Sequence, residues 1–131
     1  MSGFAPNSFK VAATLSAYRI VAHLTGTANT VQYPVSNLNV PLGVSLDTVL
    51  DTTSAIAVAG PGNIARVYFN DTCGAGELVA SDTSGRGVKY NPATTSTAAT
   101  LASAYVGILV GASVAATGTI ADVYIMPALS R

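Results

Sequence analysis

The sequence predicts an all-β fold: one small single-domain barrel or sandwich of about eight or nine short strands, with an irregular N-terminal arm. Three observations carry this expectation. Clusters of turn-forming residues recur at short intervals, as "GTANT", "SNLNVP", "GPGN", "NDTCGAG" and "SDTSGRG". The segments between them are strand-like, and "AYRIVAHLT" alternates cleanly with a period of two. No stretch carries a 3.6-residue apolar stripe with caps at both ends. The nearest is 46–53, so any helical turn is expected around 47–53.

The elements follow in chain order. Residues 1–16 contain no self-contained strand and are expected to form an arm. That arm either contacts a neighbouring subunit through Phe4, Pro6, Phe9 and Lys10, or frays. The domain proper is expected over 17–131. In "AYRIVAHLT", Tyr18, Ile20, Ala22 and Leu24 share one face, and Arg19, Val21, His23 and Thr25 the other. "TVQYPV", "PLGVSLDTV", "SAIAVAG" and "NIARVYF" come next, followed by "ELVAS", "GVKY", "SAYVGILVG" and "TIADVYIMP". A hairpin over 78–90 should turn within "SDTSGRG", its tip solvated or against a neighbour and Gly87 at positive φ. "IARVY" at Ile64 and "IADVY" at Ile120 echo each other, either as two similar β units facing each other in one barrel or by chance convergence on a good strand sequence. If they are equivalent, Arg66 and Asp122 should share one kind of face, away from Val67 and Val123.

Composition narrows the function classes. The chain has 131 residues, enough for one domain with a sizeable core. Charged residues are 9% of it, against about 25% in an ordinary soluble domain. Six basic residues balance six acidic ones, leaving no field to steer nucleic acid or an anionic membrane surface. So few charges protect a monomer poorly against self-association, so a surface covered by other subunits is the sharper alternative to an ordinary β domain. Cys73 is the single cysteine and can form no intrachain disulfide. The N-terminus does not read as a signal peptide. The charge-free stretch 91–121 contains "YVGILV", which reads better as a buried strand between Thr- and Ser-rich loops than as a membrane span.

Candidate chemistry is sparse. His23 is alone, without a histidine partner for a metal or a nucleophile-and-acid context for catalysis. Gly60, Gly62 and Ala65 match a dinucleotide-binding spacing. That mechanism needs a helix to start there, and "ARVYF" reads as a strand. Asp47, Asp51 and Asp82 form no persuasive acid/base pair. No catalytic, cofactor-binding or metal-binding residue is assigned. Glu77, Asp82, Arg86 and Lys89 concentrate charge in "GELVASDTSGRGVKYN", which reads as strand, turn, strand.

That same stretch carries a resemblance. From Gly74 through Glu77, Asp82, Gly85 and Gly87 to Val88 it resembles the hairpin of small capsid cement, or decoration, proteins of tailed bacteriophages. "AYRIV", "PLGVSLDT", "SAYVGILVGAS" and "ADVYIMP" resemble further strands of that family, so the likeness spans about 17–127, in short motifs. Glu77 stands where the family has Asp, and residues 1–16 have no counterpart. The resemblance implies a non-enzymatic virion protein on the outer surface of the assembled capsid. It would stabilise the shell by bridging major capsid subunits, as a homo-oligomer, trimer favoured over dimer. A ligand- or carbohydrate-binding β module is the alternative, although the chain has no Trp to line a sugar site.

Overall fold

Each segment expected to be a strand contains one, and β1 and β9 are additional. In order, β1 is Asn7–Val11, β2 Ile20–His23, β3 Thr30–Gln32, β4 Pro41–Ser45, β5 Ala55–Ala59 and β6 Ile64–Tyr68. β7 is Leu78–Asp82, β8 Gly87–Lys89, β9 Thr100–Leu101, β10 Gly107–Leu109 and β11 Ile120–Ile125. The computed structural model describes residues 7–24, 26–34, 41–50, 55–82, 84–90, 100–101, 105–115 and 117–126, and none of these is helical. Strands β1 to β5 close into a barrel in the order β1-β3-β2-β4-β5, with β1 parallel to β3 and antiparallel to β5. The remaining six form a sheet ordered β6-β11-β10-β7-β8, with β9 also on β7. The all-β single domain expected from the sequence is the one observed.

Two local expectations are corrected. Residues 7–11, assigned to the arm, are β1, and close the barrel by pairing Phe9 with Ile56 and Lys10 with Ala55 of β5. A five-residue strand with polar residues at its start has too little alternation to announce itself; its partners define it. The helical turn expected around 47–53 is absent over 47–50. Val49 instead forms an antiparallel bridge with Leu15, each amide donating to the other's carbonyl at 2.7 and 2.9 Å. With both groups committed across the chain, Val49 has none free for an i to i−4 ladder. Residues 51–53 lie outside the described residues.

Two apolar cores result. One fills the barrel, with Val11, Leu15, Val21, Val31, Val49, Ile56 and Val58 buried and Phe9, Tyr33 and Leu42 packed on it. The other lies between the barrel wall and the second sheet, combining Ile20, Val44 and Ala59 with Val67, Phe69, Val79, Leu109, Val123 and Ile125. Adjacent residues of β2 therefore serve different cores, Ile20 one and Val21 the other, and neither is exposed. The alternation seen in "AYRIVAHLT" separates two interiors, whereas a half-buried strand would separate core from water. Burying each such side chain contributes about 1.5–3 kcal/mol.

Backbone bonds reinforce the seam between the layers. Tyr18 sits at φ 64, a left-handed conformation costly for a bulky residue. It is held from both sides: its amide donates to the Ser45 carbonyl at 2.9 Å, and its carbonyl accepts from the Tyr68 amide at 2.8 Å. Ser45, fully buried, donates its hydroxyl to the Ser16 carbonyl at 2.7 Å and accepts from the Arg19 amide at 3.1 Å. The Arg19 guanidinium lies 4.9 Å from the Tyr68 ring centre and 5.9 Å from that of Tyr33, within cation–π range.

The 78–90 hairpin forms as expected, but its tip is docked against the same chain. The Gly85 carbonyl accepts from the Ile20 amide at 2.6 Å, and the Ser84 carbonyl accepts from the Arg19 guanidinium at 3.0 Å. Positive φ falls on Gly85, at 74°, and not on Gly87. Gly87 is required for space: a Cβ there would stand 2.8 Å from the Phe69 ring and 3.0 Å from Val67. Both neighbours are fully buried and cannot swing away. Gly87→Val is expected to destabilise the fold by about 1–3 kcal/mol through overpacking, read as a lower urea midpoint. An unchanged midpoint would show that the Phe69 pocket has slack.

Candidate interaction surface

The two echoing pentapeptides do not face each other across a barrel; they are hydrogen-bonded neighbours in the second sheet. β6 and β11 pair antiparallel, in a register that sets Ile64 against Tyr124, Ala65 against Val123, Arg66 against Asp122, Val67 against Ala121 and Tyr68 against Ile120. "IARVY" thus lies against "IADVY" end for end, about a local two-fold centred on the Arg66–Asp122 pair. Val67 and Val123 are fully buried, whereas Arg66 and Asp122 are exposed, as the equivalence of the two strands requires.

The outward face of these strands is unusually apolar. Side chains alternate across a sheet, so Ile64, Arg66 and Tyr68 share it with Ile120, Asp122 and Tyr124. Ile108 joins from β10, because it pairs with Tyr124. Among the described residues five large hydrophobics are exposed: Leu50, Ile64, Val110, Ile120 and Tyr124. All but Leu50 belong to this region, Val110 immediately after β10, its amide donating to the Asp122 carbonyl at 3.0 Å. Single exposed apolar residues need no explanation, but a cluster does. A shallow groove of about 400 Å³ opens beside them, lined by Arg66, Asp122, Ile120, Ser113 and their neighbours. The other half of the same outward face is covered. Tyr90 and Tyr105, in edge-to-face contact at 5.5 Å, pack with Leu78, Ala80 and Val88 over β7 and β8.

The charged hairpin resolves into two clamps. Asp82 is 2% exposed. Its Oδ1 accepts from the amides of Ser84 at 2.9 Å and Arg86 at 2.8 Å, and its Oδ2 accepts from Arg86 Nε at 2.8 Å. A buried carboxylate supplied with three donors is a turn-forming device. Glu77 accepts from the Gly74 amide at 2.6 Å and pairs with Lys89 at 3.1 Å, both ends in water. Those two partners hold its carboxyl below the usual 4.5, the Gly74 amide contributing most. Cys73 is buried beneath, and burial together with the nearby Glu77 pushes its thiol up to about 11. It therefore stays protonated and unreactive at neutral pH.

The other sequence candidates are dispersed. His23 is exposed at the end of β2, opposite Val31 of β3, apart from Asp82 and Arg86. Gly60 and Gly62 form the tight turn between β5 and β6, in which the Asn63 amide donates to the Gly60 carbonyl at 3.3 Å. A strand follows this turn, so no helix N-terminus is available for a pyrophosphate. Among the described residues no three His, Cys, Asp or Glu side chains stand together as metal ligands, and no helix is long and apolar enough to cross a membrane. Phe4 and Pro6 lie outside the described residues. Phe9 is half-buried on the barrel core of its own chain, and Lys10 points outward from β1, on a different sheet from the apolar face. Sequence reasoning missed that face. Its signal was present: "IARVY" and "IADVY" carry Ile and Tyr at the same alternate positions as Arg66 and Asp122, where a solvated strand would carry polar residues.

No protein-family model matches the chain, and no curated protein matches it in sequence. A solved structure does match in fold: the head fiber gp8.5 N base of bacteriophage phi29. The two share 16% sequence identity with a TM-score of 0.65, over 91% of each chain. The likeness is one of fold.

Glu77 gives the region a definite pH response. Its folded-state pKa is lowered, so its contribution is complete above the ordinary carboxylate range and disappears as pH falls through the lowered value. Glu77→Gln is expected to melt below the parent protein at pH 7, with the gap closing once the pH is well under 4.5. A gap that persists undiminished in acid would show that the carboxylate's charge is not what holds the Gly74 turn.

Proposed function

We propose that the protein is a non-enzymatic structural component of a phage virion. It binds the outer surface of the assembled capsid and stabilises the shell by bridging major capsid subunits. The observation that carries this reading is the fold likeness to a phage head fiber base, which spans 91% of both chains. The resemblance of the Gly74–Val88 hairpin and the later strands to capsid decoration proteins supports it from an independent direction. The composition fits as well. A surface with few charges and an exposed apolar sheet face suits a protein that works while partly covered by others.

The mechanism is mass action. A ligand that binds the assembled lattice and not its separated subunits stabilises assembly by RT ln(1 + [L]/Kd) at each site, about 2.7 kcal/mol at a hundredfold excess over Kd. Multiplied over a shell, a modest increment per site opposes the outward pressure of packaged DNA.

With a formal net charge of zero, attachment rests on apolar burial and on backbone and hydroxyl hydrogen bonds. Such contacts hold or strengthen as salt rises, whereas exposed ion pairs are screened over about 8–10 Å at physiological ionic strength. Shells assembled from the major capsid protein of a candidate source phage and decorated with this protein are to be washed in rising sodium chloride and the bound fraction measured after sedimentation. Retention through 1 M salt is expected. Release at a few hundred millimolar would assign the contact to basic residues. Failure to sediment with shells under any condition would end the reading, and binding to a glycan array in the same preparation would favour a carbohydrate module.

A further inference from the structure

We propose that the outward face of β6 and β11 is the interface of a two-fold symmetric homodimer. The occupant is inferred from the face itself, independently of any capsid role. Within the register, Arg66 stands opposite Asp122 at the centre, Ile64 opposite Tyr124 on one side, and Tyr68 opposite Ile120 on the other. A second copy laid face to face, related by an axis running along the strands between β6 and β11, exchanges the two columns. Each Arg66 then faces the partner's Asp122, each Ile64 the partner's Tyr124, and each Ile120 the partner's Tyr68. Like charges never meet, and every apolar side chain of the two strands gains an apolar or aromatic partner. The face is thus complementary to itself, which is the requirement of an isologous contact.

Three further observations agree. Ile64 is 62% exposed, Ile120 45% and Tyr124 41%, so each has surface left to bury. The neighbouring half of the same outward face is already capped by Tyr90 and Tyr105, so the uncapped part is confined to β6, β11 and the flanking β10. The chain has too few charges to keep such a face apart from its own copies.

Size sets the affinity. Two strands about 4.8 Å apart and five residues at about 3.3 Å each make a patch of roughly 10 by 17 Å. That is well below the roughly 800 Å² per partner of a standard stable interface. The dimer is therefore weak and concentration-dependent, in the micromolar range or above. Crowding many copies onto one surface would populate it.

The test is sedimentation equilibrium from 10 µM to 1 mM on the full chain, with circular dichroism confirming the fold of each variant. The parent protein should fit a monomer–dimer equilibrium. Arg66→Asp gives a face with two acids and Asp122→Arg a face with two bases, so each alone should weaken dimerisation at least tenfold. Mixed in equal amounts, the two variants should recover dimers, which only pairing between chains can produce. Ile64→Lys, at a position remote from both cores, should abolish the dimer even if a charge reversal disturbs the cross-strand pair. A parent protein that is monomeric across the range would overturn the proposal. So would a three-fold assembly, single variants that associate like the parent, or a mixture that stays monomeric. Shell binding by the monomeric Ile64→Lys variant is scored separately, so that failure of the dimer and failure of the capsid reading remain distinguishable.

Discussion

Strand β2 has almost no side facing water. Ile20 points into the core shared with the second sheet, Val21 points into the barrel, Ala22 is buried, and exposure begins only at His23. β4 supports it with Val44 on the shared side, and β5 adds Ala59. The wall made by these strands is common to both halves of the molecule. Neither half completes its apolar burial without it. The strained Tyr18, the buried Ser45 hydroxyl and the docked Gly85 turn all stand at this wall. Tyr18 and Gly85 couple the barrel to the other layer through backbone hydrogen bonds with Tyr68 and Ile20, and the Ser45 hydroxyl holds the Ser16–Arg19 segment in place for them.

From that constraint the surface follows. With the inner face of the second sheet committed to the shared core, its outer face is the one left to solvent among the described residues. Half is closed by Tyr90 and Tyr105; the half made of β6, β11 and β10 retains Ile64, Val110, Ile120 and Tyr124 in contact with solvent. The charges of the 77–89 hairpin are used locally. Asp82 with Arg86, and Glu77 with Lys89, hold one hairpin in shape.

The strands were legible in the sequence because turn residues punctuate them so regularly. "GPGN", "NDTCGAG" and "SDTSGRG" each sit where the chain reverses. β1 and β9 were not legible, since strands of five and two residues are defined by their partners more than by their own pattern. The facing of Arg66 and Asp122 could be read from alternation alone; that the two echoing strands lie side by side could not, because register is a tertiary property. The docked hairpin tip was misread for a related reason. "SDTSGRG" has the composition of a solvated turn, and nothing local records that Ile20 and Arg19 wait to accept it. Gly87 likewise looked like a turn glycine when its role is to leave room for Phe69. The N-terminal residues were the weakest part of the reading: Phe9 and Lys10 belong to the barrel, while Phe4 and Pro6 lie outside the described residues.

If the β2 wall makes the barrel and the second sheet one cooperative unit, the amides on both sides of it must open together. Native-state hydrogen exchange with increasing denaturant tests this directly, comparing barrel amides such as Ala22 with second-sheet amides such as Val123. The account predicts that both exchange only through global unfolding, with the same free energy and the same dependence on denaturant. Barrel amides that exchange through a lower-energy opening, while the second sheet stays protected, would show two separable units and contradict it.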